Sequence, residues 1–248
     1  MKATLASFNL RRLMAWVAVA AVLFGMIAWL VRIVDEARRS ANSAQCVGHL
    51  AQIALALHNY HEVYGRFPPA YIADPEGRPM HSWRVLILQF LEPGLYGAYD
   101  FAEPWDGPNN SRLALSKPNF FACPNGPDYG GHSNRTNYLA IVGPGTAFPG
   151  GRSTSLSDVS DPTGDTIMIA EVADSGINWM EPRDLDVRTI DAVDGGPKQP
   201  HISSHDRVAH VVCVDGSVRV LPGSIAPSEA RGLATIGGGE PTPSAWVR

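Results

Sequence analysis

Residues 13–31 are a run of 19 uncharged residues, Leu-Met-Ala-Trp-Val-Ala-Val-Ala-Ala-Val-Leu-Phe-Gly-Met-Ile-Ala-Trp-Leu-Val, closed by Arg32. A helix needs about 20 such residues to cross the hydrocarbon core of a bilayer. The stretch 13–34 therefore reads as a transmembrane helix. Arg32 sits near one end, where its stem can carry the charge out to the headgroups. Trp16 and Trp29 lie near the two ends, the depth that amphipathic rings prefer. The membrane lipid bilayer is thus the first expected partner.

Two other readings compete. One is a buried core helix, which seldom stays uncharged for so long. The other is a cleaved secretory signal, with Lys2, Arg11 and Arg12 as its basic region and Ala18-Val19-Ala20 as a cleavage site. That site falls early, and eleven more uncharged residues follow it, whereas signal cores stop after about 7–15. Retention as an anchor is favoured. Basic residues flank both sides equally, so charge counting leaves the orientation open. The short first segment (1–12) and the cysteines favour an N-terminus inside the cytoplasmic membrane and a head outside the cytoplasm.

After the anchor comes a stretch with no proline before Pro68. Apolar residues recur at Cys46, Leu50, Ile53, Leu57 and Tyr60, one face of a helix. The expectation is a stem helix over 35–62 continuing the anchor, stopped by Arg66-Phe67-Pro68-Pro69 because proline cannot extend the hydrogen-bond ladder. Residues 63–248 would form the exported head. The chain has 248 residues, so some 210 remain beyond the anchor, enough for one core. A formal net charge of −4 and the lack of any basic block exclude nucleic acid as a main partner. Of the three cysteines, Cys46 and Cys123 are candidates for a disulfide if the head is outside the cytoplasm, and Cys213 lies in an apolar strand run.

Within the head, the apolar run 81–91 fits a short helix or a buried strand by its length, and a helix with Ser82 as its N-cap is favoured. Asn109 or Asn110 is expected to cap another through Leu115. Strands are expected over 119–124, 136–142 and 166–172. Two β-prone runs, 208–214 and 217–221, flank Asp215-Gly216, the pattern of a two-residue hairpin turn. A last short helix is expected over 227–234.

These blocks, in this order, resemble a bacterial family of prepilin-like proteins. It is described as a domain of unknown function with a prepilin-type processing-associated His-x9-Asp-Gly signature. The matching residues are Cys46 with the stem ending His58-Asn59-Tyr60-His61, Tyr64-Gly65 and Phe67-Pro68-Pro69. Further on come Ser82-Trp83-Arg84, Glu103-Pro104-Trp105-Asp106-Gly107-Pro108-Asn109-Asn110, Phe121-Ala122-Cys123-Pro124 and Thr136-Asn137-Tyr138. The series closes with Glu171-Val172-Ala173-Asp174, Trp179-Met180-Glu181-Pro182-Arg183-Asp184, and His205 nine residues before Asp215-Gly216. The resemblance implies an α+β, pilin-like fold, a long N-terminal helix packed on an antiparallel sheet. It also implies possible secretion or pilus-like assembly components as partners, and it supplies no activity. One feature departs from prepilins. Asn9-Leu10-Arg11-Arg12 precedes the apolar run where they carry a cleavage motif, and the run holds no acidic residue. The expectation is a pilin-shaped chain that keeps its anchor.

Several groups invite chemistry, each beside a plainer role. His205 and Asp215 could pair, or join Glu171, yet a hairpin turn alone explains Asp215-Gly216. His201, His205, His210 and Cys213 fit no zinc template, and His210 and Cys213 fall on opposite faces of a strand. His58 and His61 share a helical face. Glu171, Asp174, Glu181, Asp184 and Asp186 gather around Trp179 and Arg183. That set could bind or cleave a sugar, with Trp105 and Trp179 lining a concave surface open to water. It could also hold calcium, with Asp191 and Asp194 adding oxygens. The structural alternative, an ion pair of Arg183 with Glu171 or Glu181, ranks first. No cofactor and no catalytic residue are expected. The leading reading is a non-enzymatic, membrane-anchored, pseudopilin-like protein acting by interaction; the second is an anchored carbohydrate-binding or carbohydrate-active protein using residues 171–184.

Overall fold

The computed structural model describes residues 10–124, 126, 129, 133–190, 202, 208–239 and 246. The fold is α+β: a long apolar N-terminal helix and a mostly antiparallel sheet, in keeping with a pilin-like fold. Helix α1 spans Leu10–Tyr64 without interruption. Its segment after Leu13 is long and apolar enough to cross a membrane. Trp16 and Phe24 there are 72% and 75% exposed. Two units divide the chain, 1–41 and 42–248.

In the second unit α1 buries Cys46, Leu50, Ile53 and Leu57 completely, the face the periodicity predicts. Gly65, at φ +71°, ends the helix in a left-handed conformation that costs glycine little. A small hairpin follows, β1 (Tyr71–Ala73) with β2 (Pro79–Ser82). The expected helix over 82–91 is two short turns, α2 (Trp83–Leu86) and α3 (Leu88–Leu91), and Ser82 forms no side-chain cap bond. Next comes α4 (Pro93–Ala98).

The main sheet has the order β5-β3-β4-β6-β7. Its strands are β3 (Tyr138–Val142), β4 (Ile167–Glu171), β5 (Leu185–Asp186), β6 (Val208–Cys213) and β7 (Val218–Pro222). Only the β3–β5 pair is parallel. Alternation along β3 and β6 sends Tyr138, Ala140 and Val212 into the core shared with α1. Leu139, Ile141, Ala209 and Val211 enter a second core on the other face, with Ala230 of α5 (Pro227–Gly232). A register shift between Ile167 and Ile169 lets both Met168 and Ile169 face the α1 side. Glu171, two residues after Ile169, therefore points into the α1-facing core as well.

Three local expectations are corrected. Residues 119–124 are no strand: 119–121 form a 3-10 turn, bent so that Phe120 and Phe121 both enter the core. The segment after Asn109 is a 3-10 turn over 110–116 without a side-chain cap. Asn110 instead reaches back, donating to the carbonyls of Asp100 and Pro104 (2.8 and 3.1 Å), while Glu103 Oε1 accepts the amides of Asn109 and Asn110. Gly107 is needed there, because an added Cβ would stand 2.6 Å from Glu103 Cδ. The β6–β7 hairpin holds, but its loop is longer than two residues. Gly216 N donates to Cys213 O, and Cys213 N donates to Ser217 O. That is a turn followed by a left-handed residue, so Gly216 at φ +85° carries the strain alone.

A Cβ on Gly216 would also meet His58 Nε2 at 3.0 Å. Gly216→Ala is expected to lower stability by about 1–3 kcal/mol, read as a shifted urea midpoint with the far-ultraviolet spectrum kept. Asp215 closes the same turn, its Oδ1 accepting the amide and hydroxyl of Ser217 at 2.8 and 2.6 Å. The Asp-Gly pair is thus accounted for by backbone geometry.

Candidate functional site

The register of the sheet assembles a polar cluster inside the α1-facing core. Tyr138 pairs with Glu171 across β3 and β4, and Ala170 pairs with Val211 across β4 and β6. Glu171 and His210 are thereby neighbours. His210 Nδ1 lies 2.7 Å from Glu171 Oε2. With Nδ1 donating to the carboxylate, Nε2 is left to accept the Ser43 hydroxyl from α1, at 3.2 Å. One turn along α1, Cys46 Sγ lies 2.8 Å from Cys123 Sγ. Cys46, Cys123 and Glu171 each offer a ligand atom within 4.8 Å of the others. All three are completely buried, as is Tyr138.

The surroundings of Cys46 favour its neutral thiol. The Cys123 contact, burial and the nearby Glu171 charge together push the Cys46 thiol far above its ordinary pKa. Burial first, then the Glu171 charge, pushes Tyr138 well up. Such thiols are poor nucleophiles in the packed state. Cys213, on the opposite face of β6 as its spacing from His210 requires, is pushed up to about 12, chiefly by burial.

Ser43, His210 and Glu171 have the order of a serine-hydrolase relay. Ser43, however, sits inside the continuous helix α1, where backbone amides are committed to the helical ladder. The donor set of Cys46, Cys123 and Glu171 could take a thiophilic metal ion.

The other candidate residues are dispersed. Trp179 is completely buried, stacked on Phe121 with ring centroids 5.9 Å apart, and its indole donates to Ala114 O. Trp105 is partly buried and packs on the same core, while Asp106 is exposed. The sugar reading therefore loses the open aromatic surface it requires. Arg183 pairs with Glu181 at 2.6 Å, as one of the two structural options held. Asp174 and Asp186 pair with Arg135 and Arg188. Glu171 belongs to His210 and not to Arg183. Asp184 turns inward and meets Arg84 at 2.6 Å. His58 and His61 do share a face, both rings contacting Phe67, His58 edge-on and His61 tilted. Asp191, Asp194, His201 and His205 lie outside the described residues.

Sequence reasoning gave no role to Ser43, and it read Tyr138 and Arg84 only as members of the blocks that carry the resemblance. Arg84 carried a further signal, a full charge in the middle of an apolar run.

Burial lowers the pKa of His49, His58 and His81 below the ordinary 6.5. Each then favours folding while neutral, above about pH 6.5, and that contribution is lost as pH falls through the lowered folded-state value. The melting temperature is expected to fall between pH 7 and 5, and His58→Gln to flatten that slope.

A family model described as "Protein of unknown function (DUF1559)" matches residues 35–198. The matched region covers Cys46, Cys123, Glu171 and the Arg84–Asp184 pair, and it ends before His205, His210 and Asp215. No curated protein and no solved structure matches the chain.

Proposed function

The chain belongs to the DUF1559 family, and on that premise we propose that it is a membrane-anchored, pseudopilin-like envelope protein that acts by binding other proteins and not by catalysis. Its N-terminal tail, residues 1–12, lies on the cytoplasmic side of the inner membrane and its head outside the cytoplasm. The observation carrying this reading is α1 itself. An exposed apolar segment beginning at Leu13 continues as the same helix into a face, Cys46 to Leu57, that the head buries. The anchor and the first layer of the head's core are thus carried on one helix. Partners of the type found in secretion or pilus-like assemblies fit this arrangement, since such systems use a helix both as anchor and as packing surface.

The test is fractionation of cells expressing the full chain, with intact-mass measurement and protease treatment of spheroplasts. The expected result is a carbonate-resistant membrane protein with residues 1–12 retained and a head digested from outside. A mature protein beginning near Leu13, or a head protected from external protease, contradicts the proposal. Cross-linking before detergent extraction then identifies the partners.

A further inference from the structure

We infer that Cys46 and Cys123 close into a disulfide that ties α1 to the head, formed while the head folds and sealed by its packing. The inference rests on the proposed location of the head outside the cytoplasm. Its observations are geometric. The two sulfurs come from positions 77 residues apart and meet at 2.8 Å. A disulfide needs about 2.05 Å. Two thiolates on one tetrahedral zinc would stand roughly 3.7 Å apart, given Zn–S bonds near 2.3 Å. Glu171, the third donor, is engaged with His210 through Oε2. The contact lies closer to a bond than to a coordination shell.

The same packing dictates when the bond forms. Both sulfurs are completely buried. In the folded head no external disulfide can reach them, and exchange requires a thiolate to meet a disulfide sulfur. Exchange must therefore precede the docking of α1. One cysteine, as thiolate, attacks a sulfur of an external protein or small-molecule disulfide, forming a mixed disulfide and releasing one thiolate. The second cysteine thiolate attacks the protein sulfur of that mixed disulfide, forming the Cys46–Cys123 bond and releasing the second thiolate. Two protein thiols lose two electrons; the external disulfide gains them and takes up the two protons as two thiols. Once α1 docks, the bond is shielded from reductant as the thiols were from oxidant.

The covalent loop encloses the end of the stem, the β1–β2 hairpin and α2 to α4. It fixes the stem to the head at the point where a pull on the anchor would peel the helix away.

The test uses the full-length chain in detergent, refolded in a glutathione redox buffer, alkylated under denaturing conditions and digested without reduction. The expected product is one cross-linked peptide pair containing Cys46 and Cys123, with Cys213 alkylated. It should survive millimolar dithiothreitol in the native state and yield within minutes in denaturant. Prior reduction should lower the melting temperature on the order of 10 °C for a loop of this length. The Cys46→Ala/Cys123→Ala double variant should show no response to reductant, and Cys213→Ser should respond as the parent does. Three alkylated cysteines after refolding, or stoichiometric zinc retained by three reduced cysteines, overturn the inference. A second arm alkylates acid-quenched cells. A cross-link formed in vitro but reduced in cells leaves the inference standing and counts against the location of the head.

Discussion

Replacing Arg84 with alanine is expected to destabilise the head by about 3–5 kcal/mol, because it leaves a buried carboxylate without its counter-ion. Arg84 and Asp184 are 0% and 2% exposed at their side chains. The guanidinium also clamps a loop: Nε donates to Trp179 O, and Nη2 donates to Glu181 O and Arg183 O, at 2.8–2.9 Å. Asp184 Oδ1 accepts from Arg84, from the Trp83 indole and from the Ala140 amide of β3. Burial pushes the carboxyl pKa of Asp184 up against the opposing pull of Arg84 and those two donors. Desolvation thus offsets much of the pairing, and the larger share of the effect belongs to the loop carbonyls. Two consequences separate clamp from ion pair. Asp184→Asn, which keeps an oxygen for Trp83 and Ala140, should cost less than Arg84→Ala. The double replacement Arg84→Met/Asp184→Leu should recover only part of the loss, since the Trp179 and Arg183 carbonyls lose their Arg84 donor at about 1–3 kcal/mol each, while Glu181 O keeps the Arg183 amide. Urea unfolding followed by tryptophan fluorescence measures all three. A cost below about 1 kcal/mol for Arg84→Ala would mean that the loop over 179–183 is held by packing alone.

What the sequence disclosed follows from how far each signal reaches along the chain. The anchor and the stem are periodic over many turns, and each apolar position from Cys46 to Leu57 is where the period puts it. The β6–β7 hairpin announces itself through Gly216, a local requirement for positive φ. Strand β4 is apolar enough to be read, but its register shift is not, so nothing fixed which face Glu171 would take. The 3-10 turn at 119–121 imitates a strand, because consecutive phenylalanines satisfy β-propensity while both rings go to one core. Pairings across 39 residues (Glu171 with His210) or 100 residues (Arg84 with Asp184) depend on the register of the sheet and leave no local trace. The Cys46–Cys123 contact was legible for a different reason. Cysteine is scarce here, and the third one already had a strand to occupy.

The stem offers the sharpest separation of folding from function. Ile53 is completely buried and Leu55, two residues on, is 62% exposed. Ile53→Asp removes a core side chain, at about 2–5 kcal/mol for the truncation alone. It also buries a carboxylate in the layer between α1 and the sheet, where desolvation costs several kcal/mol more. Against a typical total of roughly 5–15 kcal/mol, the head should fail to fold and should be degraded in cells. Leu55→Asp is the same change of chemistry on the same helix, facing out. Its effect on the folded head should lie within about 0.5 kcal/mol. Leu55 and Val63, eight residues apart and so on neighbouring sides of the helix, are exposed on the stem. If this outward side is where partners pack, Leu55→Asp should abolish the cross-linked species seen with the parent chain while leaving the melting temperature unchanged. Unchanged cross-links with an unchanged melting temperature would place the partner surface on the sheet or its loops. A large loss of stability from Leu55→Asp would instead require that α1 be rotated from the orientation in which Cys46 meets Cys123, and would contradict that contact as well.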